Sequence, residues 1–583
     1  MRPATSGPGT ARFGPYEVDS HSGEVKKFGT RIKLGEQPLR ILIRLMERPG
    51  ELVTREELRS LLWSENTFVD FEHGLNSAVQ RLRDTLSDTA EEAQWIETVP
   101  RRGYRFAGKV EWSKGNDSLA AVSGRVMLAV LPFENLSGDP GQDYFSDGLT
   151  EEMIAQLGAL SPEHLGVISR TSSMVYKHTS KSARQIGSEL GTDYVLESSL
   201  RRDGERVRIT VQLIRVRDQV HLWANNYDSH ISSSIALQEE VARAVAEQIE
   251  VKLSSVYANR PVRSHPDSAA NEAYLRGRFF FNQFTSGGYY KAIEYFQQAI
   301  DRDPNFAEAY AGLSDCYRFL VVTDTISPAE GSPKIADSSR QAVLLSDSLA
   351  ESHCALAGAL MDKYDWRRAE KEFQRALALN PSYSDMHRIY AALLTALLRH
   401  REAWEQISEA IRTDPLSLPN NAEVVRTLYY ARDYDGALRQ AQKAMQLNPD
   451  YYRTHFWMGR VYGQKHMYKE AIGEAKTVLS ANSDSSLALT ELAYSLAMGG
   501  REAKARKILR RLEERRKASF VPAYNLAVIH VALHENDAAL QLLRQSYYEN
   551  DWALLVIACE PRLDPLRRTP SFRELLAKVG VPG

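Results

Sequence analysis

The sequence predicts a multidomain α+β protein in three parts: a small domain of helices and strands, a compact α/β domain, and an all-α solenoid. Three observations carry this. At 583 residues the chain is too long for one hydrophobic core. Its N-terminal part mixes short strand-like runs with amphipathic helices. The remainder repeats itself at a fixed spacing, as stacked helical units do. The shifts in pattern divide the chain into a disordered tail over 1–12, a first domain over 13–112 and a linker over 113–124. An α/β domain over 125–255, repeats over 266–555 and a C-terminal cap over 556–583 follow.

Charge does not assign a partner. Lys and Arg number 73 against 75 Asp and Glu, and the first 112 residues carry 17 of each kind. Any affinity for a polyanion must therefore come from local placement of arginines. Cys316, Cys354 and Cys559 lie far apart and form no metal or redox spacing, which predicts buried small hydrophobes in a reducing compartment. The N-terminus has no apolar signal region, and the longest apolar run, 126–133, is too short to span a bilayer. The expectation is a soluble, cytoplasmic protein with no membrane contact.

In the first domain, residues 13–34 alternate weakly and are punctuated by Gly14-Pro15, Ser22-Gly23 and Gly29, which predicts short antiparallel strands. A helix over 38–47 turns Leu39, Leu42, Ile43 and Met46 inward and stops at Gly50. Thr54 followed by Glu57 is a capping-box signature that opens a second helix with Leu58, Leu61 and Leu62 buried. Over 71–86, Leu75, Val79, Leu82 and Leu86 recur at helical spacing, and the opposite face carries His73, Ser77, Gln80, Arg81 and Asp84. Two β-like runs then flank Pro100-Arg101-Arg102-Gly103, a hairpin with paired arginines at its tip; Tyr104 and Phe106 anchor it to the core. Short polar side chains on a helix, followed by an arginine-tipped hairpin, suit a major-groove reader with a flanking wing.

These residues carry a resemblance. Leu-Asn-Ser-Ala-Val-Gln-Arg-Leu-Arg-Asp-Thr-Leu, Ile-Glu-Thr-Val-Pro-Arg-Arg-Gly-Tyr-Arg-Phe and the upstream Leu-Val-Thr-Arg-Glu-Glu-Leu make 13–110 resemble the winged helix-turn-helix domain of the OmpR/PhoB type. The resemblance implies double-stranded DNA as partner. It makes His73, Ser77, Gln80, Arg81, Arg83, Arg101 and Arg102 the candidate DNA-binding residues. Arg81 and Arg83 take positions where the family places base and phosphate contacts, and Arg101 and Arg102 take those of a wing beside the minor groove. It also implies a loop over 64–70 that can touch RNA polymerase, and a homodimer on DNA. Asp84 on the exposed face would repel phosphate, so the helix is expected to enter the groove by its N-terminal half.

From 125 the pattern changes. The continuous apolar run over 126–133 predicts a buried strand, followed by a helix over 147–160 with Leu149, Met153, Ile154 and Leu157 on one face. Val167-Ile168 reads as a strand and 183–190 as a helix; 194–200, 207–216 and 219–227 alternate as strands, and a helix over 237–253 closes the unit. Leu-Ala-Val-Leu-Pro-Phe-Glu-Asn-Leu-Ser, Tyr-Phe-Ser-Asp-Gly-Leu-Thr-Glu-Glu and Gly-Thr-Asp-Tyr-Val-Leu-Glu-Ser-Ser-Leu make it resemble the TolB N-terminal-like domain. Asp147, Glu151 and Glu152 read as the start of a helix, where carboxylates complement the dipole. No phosphate loop, nucleophile elbow or zinc motif is present, so no catalytic residue, cofactor or metal is assigned.

Pro381, Pro415 and Pro449 are 34 residues apart, each ending a stretch such as Ala-Leu-Ala-Leu-Asn-Pro. Counting from them gives about eight units starting near Ala273, Ala307, Ala350, Ser384, Leu418, Tyr452, Ser486 and Phe520. Every step is 34 except one of 43, whose extra residues fit a loop around 323–333. Small residues recur at one offset (Ala292, Ala369, Ala403, Ala437, Ala471, Ala505, Ala539), where two helices must approach closely. The pattern resembles the tetratricopeptide repeat, which implies a protein or peptide partner. Tyr310, Tyr317, Tyr390 and Tyr462 are either groove or core residues. The expected function is a non-enzymatic, sequence-specific DNA-binding transcriptional regulator whose repeats receive a partner. The alternative is an interaction scaffold whose winged helix does not bind DNA.

Overall fold

The computed structural model describes residues 10–19, 25–27, 30–32, 34–62, 71–86, 88, 95–100, 102–108, 110–113, 125–161, 163–204, 206–230, 234–249 and 267–582. The chain divides into two compact units, Met1–Gly124 and Arg125–Gly583.

In the first unit, β1 (Thr10–Phe13), β2 (Tyr16–Asp19), β3 (Val25–Lys27) and β4 (Thr30–Ile32) form an antiparallel sheet. It is closed on its other side by β8 (Glu111–Ser113), in the order β4-β3-β2-β1-β8. β1 starts inside the stretch read as a tail, and β8 ends inside the stretch read as a linker. Apolar burial explains both: Ala11 and Phe13 are core residues, and Ala11 pairs with Val18 on one side and Trp112 on the other. Helix α1 (Glu36–Met46) follows, then β5 (Leu52–Thr54), α2 (Arg55–Leu62), α3 (Phe71–Leu86), β6 (Ile96–Val99) and β7 (Gly103–Phe106). The last two strands and β5 make a second sheet, ordered β5-β7-β6. The capping box forms: Glu57 N–H donates to Thr54 Oγ1 at 3.2 Å, and Thr54 N–H donates to Glu57 Oε2 at 2.8 Å. Phe13, Tyr16, Trp95 and Phe106 meet largely edge-on, joining the sheet to the hairpin over the apolar faces of α1 and α3.

The second unit begins with a sheet ordered β11-β9-β12-β13-β14: β9 (Val126–Val130), β11 (Leu165–Val167), β12 (Tyr194–Asp203), β13 (Arg206–Arg215) and β14 (Val220–His230). The short β10 (Glu134–Asn135) adds to β12. β9 lies parallel to β11 and β12, so it is buried on both faces. Leu128 and Val130 face α4 (Asp143–Leu160) and α7 (Ser234–Gln248). Met127 and Ala129 face α6 (Ala183–Leu190) and the segment around Tyr176, which follows α5 (Arg170–Met174). Helix α4 starts four residues before the expected one, so Asp147 and Glu151 lie beyond its first turn. They serve as ion-pair partners instead of dipole complements: Asp147 takes Lys177 Nζ at 2.7 Å, and Glu151 binds Arg278 and Arg170.

The repeats follow as eight antiparallel hairpins. α8 (Ser268–Phe281) pairs with α9 (Ser286–Arg302), α10 (Ala307–Val322) with α11 (Pro328–Leu345), and α12 (Ala350–Met361) with α13 (Trp366–Leu379). α14 (Ser384–Ala396) pairs with α15 (His400–Thr413), α16 (Leu418–Tyr430) with α17 (Tyr434–Leu447), and α18 (Tyr452–Gln464) with α19 (Tyr468–Ala481). α20 (Ser486–Met498) with α21 (Glu502–Ala518) and α22 (Ala523–Ala532) with α23 (Asn536–Tyr548) complete the stack. The seven recurring alanines are at most 1 % exposed, each under its partner helix. The turns within successive hairpins set Tyr364, Leu398, Arg432, His466, Gly500 and His534 in the left-handed region, again every 34 residues. The extra residues of the long repeat do not form a loop. They lengthen its helices to 16 and 18 residues, against 12 and 14 in the next repeat. Tyr390 is a core residue, 5 % exposed and stacked on Phe373, while Tyr310, Tyr317 and Tyr462 are half-buried. All three cysteines are buried and free.

Two 3-10 turns (Trp552–Val556, Pro561–Leu566) and α24 (Pro570–Val579) close the stack. Beneath them Arg460 and Arg562 both bind Glu491, at 2.9 and 2.8 Å, and Arg562 also holds Glu560. Burial alone would push Glu560 up; Arg562, Arg460 and the Tyr429 hydroxyl hold it down at about 2. Removing one member leaves a buried charge without its counterion. Glu560→Ala is therefore expected to cost about 3–5 kcal/mol, read as a lower urea midpoint of the helical circular-dichroism signal.

The α/β domain and the repeats share one seam. Ser172 N–H and hydroxyl both donate to Asp414 Oδ1 at 2.9 and 2.5 Å, Leu416 N–H donates to Ser172 Oγ, and Ser169 N–H donates to Thr413 O. Burial pushes the Asp414 carboxyl up to about 7, with the Ser172 bonds opposing and nearby Asp385 adding to the rise. A carboxyl raised on docking takes up a proton from roughly pH 4, its unfolded value, and holds it until about pH 7. The docked state thus binds more protons in that window and loses stability as pH rises through it. Asp414→Asn keeps the acceptor and should shrink the difference in thermal midpoint between pH 5 and pH 7.5. The remaining slope combines Asp315, Asp324 and Asp551, which burial raises in the same direction, with His387 and His400, which burial lowers and which oppose it.

Candidate nucleic-acid interface

Helix α3 buries Leu75, Val79, Leu82 and Leu86 and exposes Asn76, Gln80, Arg81 and Asp84, with Ser77 half-exposed. His73 belongs to the same helix by position. The guanidinium of Arg81 meets no carboxylate among the described residues and stands at the surface. Gln80 Nε2 donates to Asp84 Oδ1 at 2.9 Å, so this acid is tied to its neighbour one turn away.

Arg83 turns inward, away from the surface on which a base or phosphate contact was expected. It is 5 % exposed, and its Nη2 donates to Ile96 O and to Thr98 Oγ1, both at 2.8 Å. At two positions past Arg81 the helix has turned by about 200°, which points this side chain at the hairpin. Asp88 completes the clamp from the C-terminal side, its Oδ2 accepting from Trp95 N–H at 3.1 Å and Ile96 N–H at 2.8 Å. Arg83 and Asp88 thus set where the hairpin stands relative to the reading helix.

Of the hairpin tip, Arg102 is exposed and Arg101 lies outside the described residues, as does the loop over 64–70. The tip is drawn onto the helix-turn-helix side by Arg55 N–H, which donates to Arg102 O at 3.1 Å. Gly103 makes that approach possible, because a Cβ there would fall 2.0 Å from Val53 O. Two residues escaped the sequence reading. Asn76 sits three positions after His73 and four before Gln80, so the helical spacing was sufficient to find it. Arg55 opens α2 and reaches α3 only through tertiary packing: its Nη2 donates to Asn76 Oδ1 at 3.2 Å and to the Tyr104 hydroxyl at 3.3 Å. Tyr104 in turn donates to Asn76 Oδ1 at 3.0 Å. With its carbonyl oxygen taken from two sides, Asn76 has its amide N–H groups left as donors.

The surface therefore offers amide donors, a hydroxyl and the cations Arg55, Arg81 and Arg102 on one helix, the start of another and a hairpin tip. Residues 29–106 match the family described as "Transcriptional regulatory protein, C terminal". Residues 124–244 match the "HilA/YgeH-like transcriptional regulator, second domain", the description obtained where the sequence suggested a TolB N-terminal-like domain. Residues 354–417 and 458–520 match the tetratricopeptide repeat.

Among relatives, the transcriptional regulator HilA of Salmonella typhimurium is 22 % identical over 426 residues, 72 % of this chain and 73 % of that protein. The putative adenylate cyclase 3 of Rhizobium meliloti is 35 % identical over 255 residues, 43 % of this chain and 42 % of that one. The cholera toxin homolog transcriptional activator of Vibrio parahaemolyticus is 39 % identical over 97 residues, 16 % and 33 %. The chain thus spans less than half of the cyclase-named relative. It carries an OmpR/PhoB-type winged-helix domain, a HilA-like regulator domain and tetratricopeptide repeats, and relatives of this kind are transcriptional regulators.

No helix among the described residues is long and apolar enough to cross a membrane, and none of their His, Cys, Asp and Glu groupings could hold a metal ion. Because Arg83 acts inside the domain, Arg83→Ala should lower the stability of the first unit by about 1.5–3 kcal/mol. It should weaken DNA binding to all sequences alike; a selective loss at one base position would return Arg83 to the reading set.

Proposed function

We propose that the chain is a transcription regulator that places α3 in the major groove and the hairpin tip beside it. The single observation that carries this reading is the division of labour among the arginines. Arg83 is consumed in holding helix and hairpin together, while Arg81 and Arg102 remain at the surface. In this reading Arg81, Gln80, Asn76 and Ser77 meet base edges, Arg55 and Arg102 meet phosphates, and His73 and Arg101 are further DNA contacts. The first domain's balanced charge keeps non-specific affinity low, so selectivity rests on these few contacts. Binding as a homodimer to paired half-sites, contact of the 64–70 loop with RNA polymerase, and capture of a protein or peptide by the repeats belong to the same proposal, as does a cytoplasmic location.

The proposal includes action without turnover, supported by the regulatory and repeat character of the matched domains. Hydrolysis or cyclisation of ATP by the purified chain above a no-protein control would contradict it. Selection from a randomised DNA pool tests the DNA reading. Arg81→Ala should relax preference at specific bases by about 1–3 kcal/mol. Arg102→Ala should weaken binding evenly across sequences and lower the slope of log affinity against log salt by about one. Failure to enrich any motif at low salt would favour the scaffold alternative.

A further inference from the structure

Two carboxamides stand on the exposed face of α3, one turn apart, and they are held differently. Gln80 makes one bond, through its amide nitrogen to Asp84, and keeps its carbonyl oxygen and an N–H for another partner. Asn76 is held through its oxygen. Arg55 Nη2 donates to Asn76 Oδ1 at 3.2 Å, and the Tyr104 hydroxyl donates to the same atom at 3.0 Å. Arg55 Nη2 also donates to the Tyr104 hydroxyl, at 3.3 Å. Side chains from α2, α3 and β7 thus close a ring of hydrogen bonds.

The ring has one orientation. A guanidinium has no acceptor, so turning the Asn76 amide over would set its NH2 group against the Arg55 N–H groups. The Tyr104 hydroxyl accepts from Arg55, which directs its own proton at Asn76. Its ring is buried and lies under the Arg55 guanidinium, 5.4 Å from centroid to Cζ, so neither donor swings away without loss of packing. Both lone pairs of Asn76 Oδ1 are taken, and the exposed edge of this residue carries two N–H donors and no acceptor. An asparagine that shows both ends pairs with adenine by giving to N7 and accepting from N6. Asn76, held in this way, does not.

We propose that Asn76 is a donor-only reader that selects guanine in the major groove and rejects cytosine. This rests on the proposed placement of α3 in that groove. Guanine presents two acceptors there, N7 and O6, and thymine presents one, O4. Adenine sets its N6 donor beside N7, and cytosine presents only its N4 donor. The order of preference at the contacted base is therefore guanine, thymine, adenine, cytosine. Through Asn76, Arg55 and Tyr104 become positioning residues: they set which base is read without touching it.

The test is selection by the full chain from a randomised duplex pool. Asn76→Ala marks the contacted base as the position whose preference flattens, and there guanine should exceed cytosine by about tenfold or more. Asn76→Asp keeps one oxygen for Arg55 and Tyr104 and turns a second outward, so the preference should invert to cytosine over guanine. Arg55→Met combined with Tyr104→Phe removes both donors and keeps their bulk. Asn76 can then rotate, and adenine should gain about tenfold on guanine at the marked position, beyond the even loss of affinity from the missing phosphate contact. A purely structural ring would lower affinity for every sequence and leave the base preference unmoved. Circular dichroism confirms that each variant is folded; if the double variant is not, the exposed substitution Asn76→Asp decides. A motif that Asn76→Ala flattens nowhere, a marked position favouring adenine or cytosine, or a preference unmoved in the folded variants overturns the inference and leaves the DNA reading standing. Enrichment of no motif overturns both.

Discussion

Glu151 holds the second unit together. It lies on α4 of the α/β domain, where burial alone would favour its neutral form. The guanidinium groups of Arg278 and Arg170 and the amide of Asn282 hold its carboxyl below the usual range, so it remains ionised. Arg278 and Asn282 belong to the first repeat and Arg170 to the α/β domain, so one carboxylate joins the two. Close approach is possible because α4 carries glycine at two contact points. A Cβ on Gly148 would stand 2.6 Å from Leu275 Cδ2, and one on Gly158 would stand 3.0 Å from Asn380 Oδ1. From this seam the remaining contacts follow along the stack: Val167 N–H to Ser382, Ser169 N–H to Thr413, Ser172 to Asp414, and Arg125 to Glu409 at 3.1 Å.

The same economy recurs in the first unit. A charged side chain turned inward is costly unless it is fully bonded, and Arg83 finds a backbone carbonyl and a hydroxyl on the hairpin. Its neighbour Arg81, two residues earlier, stays at the surface. Asp88 repeats the device with two backbone N–H groups. Buried polar groups of this kind fix orientation more than they add net stability. In a two-element reader, the angle between helix and hairpin must match the geometry of a groove and its flank.

Much of this was legible in the sequence, and the limits have physical causes. The 34-residue period located the starts of α10, α12, α14, α16, α18 and α20, because a repeat that packs on its neighbours must return to the same packing position. The extra residues of the second repeat were read as a loop, since period counting registers added length but not whether it is helical. The polar stripe on α3 was visible at helical spacing without Arg83, which joined the candidates only through the family resemblance: a shared motif does not tell that the hairpin lies along this flank and takes up the guanidinium. Arg55 was missed for the complementary reason, its role arising from Tyr104 and Asn76, which are distant in sequence.

By itself the sequence determined the three-part architecture, the helical period of the repeats, the capping of α2 and the apolar faces that make each core. These follow from local spacing, propensity and the requirement to bury apolar surface. Only the tertiary structure decided which arginines work inside and which face outward, and that Glu151 binds across a domain seam. Those outcomes depend on the burial and pairing of charges with partners from other elements, 13 residues away for Arg83 and Ile96 and 127 for Glu151 and Arg278, and no local pattern encodes the partner that packing supplies.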